Sequence, residues 1–257
     1  MTIPTILYGT AWKESRTESL TALAIAEGFR AIDTANQRKH YFEEAVGRAL
    51  QPGLFIQTKF THRAGQDERL PYDEHAPIED QVRQSYDSSI AHLGHVDSYL
   101  LHGPSARDHL TDEDLAAWRA IEQLPVEYIG ISNVGVRQLQ QLIDTATKKI
   151  TFVQNRCYAT QAWDRDVRTL CTAHGIIYQG FSLLTANRDV VQHDRDIRAM
   201  AQRYAITTPQ LVFAFARARG MLPLTGTTSA EHMRQDLAAL NAHLAEEDLA
   251  FIETCAL

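Results

Sequence analysis

The chain alternates from end to end between short runs rich in β-branched and aromatic residues and longer amphipathic stretches. This alternation limits the fold more than any other feature, because strand–helix repeats are typical of a parallel sheet whose strands are joined by helices. The predicted strands cover residues 5–9, 30–33, 54–59, 96–102, 126–132, 151–154, 176–181 and 221–224. The helices predicted to follow them cover residues 16–28, 41–51, 75–93, 112–123, 135–146, 163–174, 207–219 and 229–240.

Eight strands, each followed by a helix, are the elements of a (β/α)8 TIM barrel, an α/β fold. Two extra helices are predicted over residues 187–203 and 244–254. No linker rich in Gly, Ser or Pro separates two halves, so we predict one domain over residues 1–257. Gly9, Gly28 and Gly53 are isolated, so the Gly-rich fingerprint of a doubly wound dinucleotide-binding sheet is absent and that fold is the weaker alternative.

The composition predicts one large core and argues against some partners. Of 257 residues, 44% are hydrophobic, and the formal net charge is -7. Nucleic acid or an anionic membrane is therefore not expected as the main partner, because affinity for both comes mostly from Lys and Arg. The three cysteines are widely spaced, so we predict reduced thiols and no metal site. The first residues do not read as a leader and no run is long enough to span a membrane, which predicts a cytoplasmic protein.

Reactive side chains cluster at the ends of the predicted strands. Asp33, Tyr41, Lys59 and His102 lie at or just after strands two, three and four. Singly, the acid could cap a turn, the lysine could extend to solvent and the histidine could be an ordinary turn residue. Together they indicate a shared site, because the carboxyl ends of barrel strands converge on one mouth. The other strand ends carry Thr10, Trp12, Ser132, Asn133, Gln154, Phe181, Ser182 and the hydroxyl-rich loop 225–229.

A family likeness runs in order over nearly the whole chain. The segments that carry it are AIDTA, YFEEAVG, FIQTKF, YLLHGP, YIGISN, VQN, IYQGFS and PLTGTTS. On these segments the chain resembles the aldo-keto reductase superfamily. The resemblance implies the same barrel, NAD(P)H-dependent reduction of an aldehyde or ketone to an alcohol, and a monomer.

The resemblance also implies a catalytic tetrad of Asp33, Tyr41, Lys59 and His102. Tyr41 would give a proton to the carbonyl oxygen, which becomes negative as hydride arrives. Lys59 would lower the pKa of Tyr41, Asp33 would hold Lys59 charged, and His102 would orient the carbonyl. The loop is longer than the family pattern, which has Tyr five residues after the Asp, where this chain has Arg38. His40 is therefore a rival to Tyr41 for the position of the proton donor.

The implied cofactor is NADP(H), with NAD(H) as the alternative. Ser132, Asn133 and Gln154 would bind the nicotinamide carboxamide, and Phe181 would stack on the ring. Ser182 and Leu184 would line the pyrophosphate path, and the loop with Thr225, Thr227, Thr228 and Ser229 would bind a phosphate. The other predicted cofactor contacts are Thr10 and His232. Leu224 and His232 stand where the family usually has the Lys and Arg that bind the 2'-phosphate of NADP, so charge does not decide between the two cofactors.

Trp12 and Tyr158 are the predicted walls of the substrate pocket. Gly103 follows His102 where many relatives carry Trp, so the mouth is predicted to be roomier. Two other functions stay open. One is a lyase in which Lys59 forms a Schiff base, which would have no use for the predicted carboxamide contacts. The other is a reductase-like protein that binds nucleotide and serves as a regulator.

Overall fold

The computed structural model describes residues 2–257, which form a closed barrel of eight parallel strands in sequence order. The strands are β1 Leu7–Gly9, β2 Ala31–Asp33, β3 Phe55–Phe60, β4 Ser98–Leu101, β5 Tyr128–Ser132, β6 Phe152–Arg156, β7 Ile177–Phe181 and β8 Leu222–Thr225. Strand β1 closes the barrel, because Tyr8 lies opposite both Ile32 of β2 and Thr225 of β8. The predicted (β/α)8 fold is confirmed.

Helices surround the barrel. They are α1 Thr17–Glu27, α2 Glu43–Ala49, α3 Ile78–Leu93, α4 Asp112–Glu122, α5 Val136–Thr145, α6 Arg165–Ala173, α7 Arg188–His193, α8 Arg195–Arg203, α9 Thr208–Ala218, α10 Ala230–Ala239 and α11 Glu246–Thr254. Short 3-10 turns that the sequence did not predict lie in the loops at Glu14–Arg16, Arg63–Gly65, Ala159–Asp164 and Thr185–Asn187. Such single turns are too short to show a hydrophobic period.

The prediction of one helix over 187–203 was wrong in its continuity. Asp194 has an extended backbone, with φ -66° and ψ 124°, which ends α7. Its carboxylate accepts hydrogen bonds at 2.9 Å from the N–H groups of Asp196 and Ile197, which starts α8 as a new helix. An Asp at such a position satisfies N–H groups that have no partner within a helix.

A layer of apolar side chains fills the amino end of the barrel. It consists of Leu7, Ala31, Phe55, Leu100, Phe152 and Leu222. The rings of Phe55 and Phe152 pack edge to face with their centroids 6.3 Å apart. This floor closes one end of the barrel, so a ligand can approach its interior only from the carboxyl ends of the strands.

Two further sequence features are seen directly. Cys157, Cys171 and Cys255 are free, and burial raises the pKa of the Cys157 and Cys171 thiols to about 12. Both thiols are thus protonated at neutral pH. Throughout residues 2–257, the helices are too short or too polar for one of them to traverse a bilayer.

Candidate active site

An ion pair between Asp33 and Lys59 is buried at the carboxyl end of the barrel. Asp33 ends β2 and is 3% exposed, whereas Lys59 on β3 is fully buried. The Nζ atom of Lys59 donates to both carboxylate oxygens of Asp33, at 2.7 and 2.8 Å, and to the carbonyl of Thr34 at 2.7 Å. Burial lowers the pKa of Lys59, and the neighbouring carboxylate of Asp33 opposes that shift. A buried cation of this kind requires such a partner.

His102 is neutral at physiological pH. It follows β4, and burial together with the charge of Lys59 lowers its pKa to about 3. Its Nδ1 lies 2.6 Å from the hydroxyl of Thr61. A neutral ring that accepts this hydrogen bond at Nδ1 carries its proton on Nε2, which can then donate to a ligand.

The loop after β2 brings Tyr41, rather than His40, next to these groups. Tyr41 packs edge-on against His102 with ring centroids 5.8 Å apart, and Lys59 Nζ lies 5.6 Å from the centre of its ring. The His40 ring instead stacks on Trp12 at 3.7 Å. The Trp12 amide also donates to the His40 carbonyl at 2.8 Å, which fixes the turn that points the two side chains apart.

The predicted lowering of the Tyr41 pKa was wrong. Burial, and then the carboxylate of Asp33, raise the pKa of Tyr41 above its ordinary value of 10. The ammonium group of Lys59, which is paired with Asp33 at hydrogen-bond distance, does not outweigh these two effects. Tyr41 is consequently a phenol that keeps its proton at neutral pH.

A cavity of about 480 Å³ opens above these groups, within the usual size range of cofactor and ligand sites. Residues from both halves of the barrel line it. The predicted site residues among them are Trp12, Asp33, Tyr41, His102, Ser132, Asn133, Gln154, Phe181, Ser182, Leu184, Thr225 and Thr227. The structure therefore brings together residues more than 190 positions apart in the chain.

The structure places six other predicted residues behind or outside the lining of this cavity. Lys59 lies behind Asp33, and the Thr10 hydroxyl is turned away to donate to the Asp33 carbonyl at 3.1 Å. Tyr158 follows β6 and has the guanidinium of Arg156 6.0 Å from its ring centre. The remaining three are at the start of α10: Thr228 and His232 are exposed, and Ser229 caps the helix by accepting from the His232 amide.

Three residues that line the cavity have left-handed backbones although none is glycine. The φ angles are 61° for Trp12, 57° for Asn133 and 56° for Ser182. Strained conformations of this kind persist only where the surrounding structure holds them, and they cluster at functional sites. Here they follow β1, β5 and β7 and turn the chain sharply at the mouth of the barrel.

Sequence reasoning missed four residues of this region. Lys13 lines the cavity, is 7% exposed and donates to the carbonyl of Gly226, and burial lowers its pKa to about 8. Arg156 also lines it, and among residues 2–257 no acidic side chain forms an ion pair with Arg156. Gln57 and Gln179 lie just below. A signal for the glutamines existed, since each stands two residues before a predicted site residue on its strand and so faces the same side.

A (β/α)8 barrel with a buried acid–lysine pair, a protonated tyrosine and a neutral histidine below a ligand-sized cavity defines an enzyme of acid–base chemistry. Comparison with known proteins identifies the family to which this enzyme belongs. The profile of the aldo/keto reductase family matches residues 5–257. The methylglyoxal reductase DkgA of Yersinia pestis is 28% identical over 255 residues, which are 94% of this chain and 85% of that protein.

Solved structures share the fold. An aldo-keto reductase from a deep-sea metagenome library has a TM-score of 0.82 at 22% identity, covering 99% of this chain and 92% of that chain. An aldo-keto reductase of Bombyx mori in complex with NADP has a TM-score of 0.80 at 22% identity, covering 98% and 89%. The chain belongs to the aldo/keto reductase family. The prediction of a nicotinamide-dependent oxidoreductase that acts on carbonyls is confirmed.

Proposed function

We propose that this protein reduces a small aldehyde or ketone with NADPH and that Tyr41 donates the proton. The observation that carries the assignment is the position of the Tyr41 phenol, which lines the cavity between His102 and the Asp33–Lys59 pair. Among residues 2–257 its hydroxyl has no hydrogen-bond partner, so it is available to a substrate.

The residues above the floor of the barrel fit a nicotinamide nucleotide. Phe181 offers an aromatic face, and Ser132, Asn133 and Gln154 offer polar groups across from Tyr41. Lys13 supplies a cation for a phosphate next to Gly226 and Thr227. When bound, the nicotinamide supplies the hydride. The same fit, together with the relative whose structure holds NADP, supports NADP(H) as the first choice.

The chain's own residues would supply the proton and place the carbonyl. His102 donates from Nε2 to the carbonyl oxygen and so holds it beside the Tyr41 hydroxyl. As negative charge grows on that oxygen, Tyr41 transfers its proton, because an alkoxide is a stronger base than a phenolate. Lys59 stabilises the phenolate that is left, and Asp33 keeps Lys59 in place.

The shape of the mouth admits a small substrate and does not exclude a larger one. Gly103 leaves space beside Asn133, where the nearest atom to an added Cβ would be 3.5 Å away. Trp12 is 68% exposed at the rim, so it borders the entrance without filling it. Because a methylglyoxal reductase is among the relatives, methylglyoxal is the first carbonyl compound to test.

The Schiff-base alternative is disfavoured by the environment of Lys59. Its Nζ is buried and makes three hydrogen bonds, two of them to a carboxylate, so no lone pair faces the cavity. A purely regulatory role is disfavoured because all four side chains of the tetrad are in contact with one another or the cavity. Monomeric state and cytoplasmic location also stay part of the proposal.

The test titrates tryptophan fluorescence with NADPH and NADH and then follows NADPH absorbance with methylglyoxal and a panel of ketones. Tyr41→Phe is expected to lose about three or more powers of ten in kcat while it still binds NADPH. His40→Ala, the matched variant in the same loop, is expected to lose less than about tenfold. A Tyr41→Phe enzyme of normal turnover, or no nicotinamide binding at all, would show the proposal to be wrong.

A further inference from the structure

Three buried glutamines form a hydrogen-bonded cluster at the base of the cavity, and Asp33 closes the cluster into a ring. They are Gln57 on β3, Gln154 on β6 and Gln179 on β7, with exposures of 0%, 3% and 0%. Gln57 and Gln154 donate to the carbonyl oxygen of Gln179 at 2.8 and 2.9 Å. The Gln179 amide nitrogen donates back to the Gln57 oxygen at 2.9 Å.

The ring is joined to the acid of the tetrad. Gln57 donates to Asp33 Oδ1 at 2.7 Å and Gln154 donates to the same atom at 3.0 Å. Ser98 on β4 donates to the Gln57 oxygen at 3.0 Å. Strands β3 and β6 are thus tied directly to Asp33, and β7 is tied to it through Gln57 and Gln154. The layer beneath is apolar, so the ring is a local polar patch in a hydrophobic interior.

These contacts fix which way each amide faces. If the Gln154 amide were reversed, its oxygen would face the carbonyl oxygen of Gln179 and the carboxylate of Asp33, which is electrostatically unfavourable. The Gln57 oxygen, which accepts from Ser98 and Gln179, holds Gln179 in its orientation and so prevents such a reversal.

Gln154 therefore presents only an acceptor to the cavity. Both hydrogens of its Nε2 are used, one by Asp33 and one by Gln179. Its Oε1 is the remaining polar atom of a side chain that lines the cavity, and no residue among 2–257 donates to it. A ligand atom that pairs with Gln154 must be a hydrogen-bond donor.

We propose that Gln57 and Gln179 are positioning residues that hold Gln154 as an obligatory acceptor, so that the site selects a nicotinamide whose carboxamide N–H2 points at Gln154. The inference rests on the proposed function and names what the ring adds to it. The glutamine ring orients the pyridine ring of the cofactor and discriminates against cofactors that lack the amide nitrogen.

The test compares NADPH with its analogue in which a 3-acetyl group replaces the carboxamide and so leaves only an acceptor. Dissociation constants are measured by fluorescence titration. The wild-type protein is expected to bind NADPH about tenfold more tightly than the analogue. In Gln179→Met the Gln154 amide loses one of its two acceptors, and in Gln57→Met the Gln179 amide is free to turn its N–H2 towards Gln154. The ratio is expected to fall to about threefold in both variants, because Asp33 alone still accepts from Gln154. Gln81→Met, a similar change at a buried glutamine of α3, is expected to keep the wild-type ratio.

A third variant adds a readout that a purely structural role would not move. In Gln179→Glu, the protonated carboxyl can still accept twice and donate to Gln57, so discrimination is expected to persist at low pH. Ionisation removes the proton donated to the Gln57 oxygen and adds a second carboxylate near Asp33, so the repelled side chain no longer holds Gln154 and the ratio is expected to fall as pH rises. The charged groups next to the new carboxyl are Asp33 and, behind it, Lys59.

The outcomes separate this inference from the function on which it rests. Failure of the wild-type protein to bind NADPH would reject both. Normal NADPH binding and turnover with equal affinity for the analogue would reject the inference alone. So would full discrimination in the two Met variants, or a pH-independent ratio in Gln179→Glu. If the Met variants do not fold, as judged by circular dichroism, the Gln179→Glu profile decides.

Discussion

The ammonium group of Lys13 at the cavity wall is expected to make cofactor binding depend on pH. Burial and the charge of Arg16 lower the pKa of Lys13 to about 8, so above that pH the free protein increasingly loses this charge. The proposed phosphate contact requires protonated Lys13, so the affinity for NADPH is expected to weaken by up to about tenfold per pH unit above 8. Titrations between about pH 6 and pH 10 measure this.

The matched variants identify the group responsible. Lys13→Met is expected to bind NADPH more weakly near neutral pH and to lose most of the pH dependence. Lys149→Met, at an exposed position far from the cavity, is expected to follow the wild-type curve. A wild-type affinity that does not change across this pH range would contradict a phosphate contact for Lys13.

At the scale of single residues, the sequence predicts chemistry that a motif carries and misses chemistry that packing creates. Asp33, Lys59 and His102 were found because each ends a predicted strand. Tyr41 was preferred to His40 only because a phenol suits a proton donor, since their placement depends on a stack of His40 with Trp12 across two loops. The direction of the Tyr41 pKa shift was also out of reach, because it depends on how deeply the phenol is buried and on its distance from Asp33.

Among the elements, the contact of α2 with α3 makes stability depend on pH. Glu43 on α2 is 2% exposed and accepts from His92 of α3 at 3.1 Å, and this hydrogen bond is the main cause of the raised pKa of His92. A raised folded-state pKa stabilises the fold below the ordinary histidine pKa, and the gain is lost as pH rises through the raised value. We expect about 1 kcal/mol of unfolding free energy to be lost in that window.

Urea unfolding at pH values on both sides of the histidine range measures this loss. His92→Gln is expected to remove it, whereas the matched change His243→Gln, at an exposed position in the loop before α11, is expected to keep it. An identical pH dependence in all three proteins would assign the effect to other groups.

The same two helices meet at Gly47. A Cβ at this position would overlap the carbonyl oxygen of His92, so α2 could not approach α3 as it does. Gly47→Ala is expected to lower the unfolding free energy by about 1–3 kcal/mol. Gly135→Ala is the control, because the nearest atom to its Cβ would be 3.8 Å away. Equal stability of the two variants in urea would show that the helices can separate without cost.

Elements were predicted well where they are long and periodic and poorly where a single residue decides. The hydrophobic periods of α3 and α4 predict the first and last residues of these helices to within a few positions. The break at Asp194 could not be predicted from a period, because α7 and α8 have similar patterns and one side-chain cap divides them. The 3-10 turns depend on loop packing and carry no pattern of their own.

For the whole molecule, a single domain over residues 1–257 stays a prediction. The C-terminal helix supports it, because Trp163 before α6 donates to the carbonyl of Ile252 in α11 at 2.8 Å and Arg168 pairs with Glu253. We expect one cooperative thermal transition, with equal calorimetric and van't Hoff enthalpies, that NADPH shifts to higher temperature. Two separate transitions would contradict it.

The order of strands around the barrel also divides the reaction between two halves of the polypeptide. The acid, phenol, lysine and histidine come from the segment up to β4, whereas the proposed nicotinamide contacts come mostly from β5 to β8. Neither half carries the residues for both the carbonyl substrate and the nicotinamide. Each half alone would have two unpaired strand edges, which pair only when β1 meets β8 and β4 meets β5. Two fragments expressed from a gene cut within the loop between β4 and α4 would each be inert, and restored turnover on mixing would report reassembly of the ring of strands.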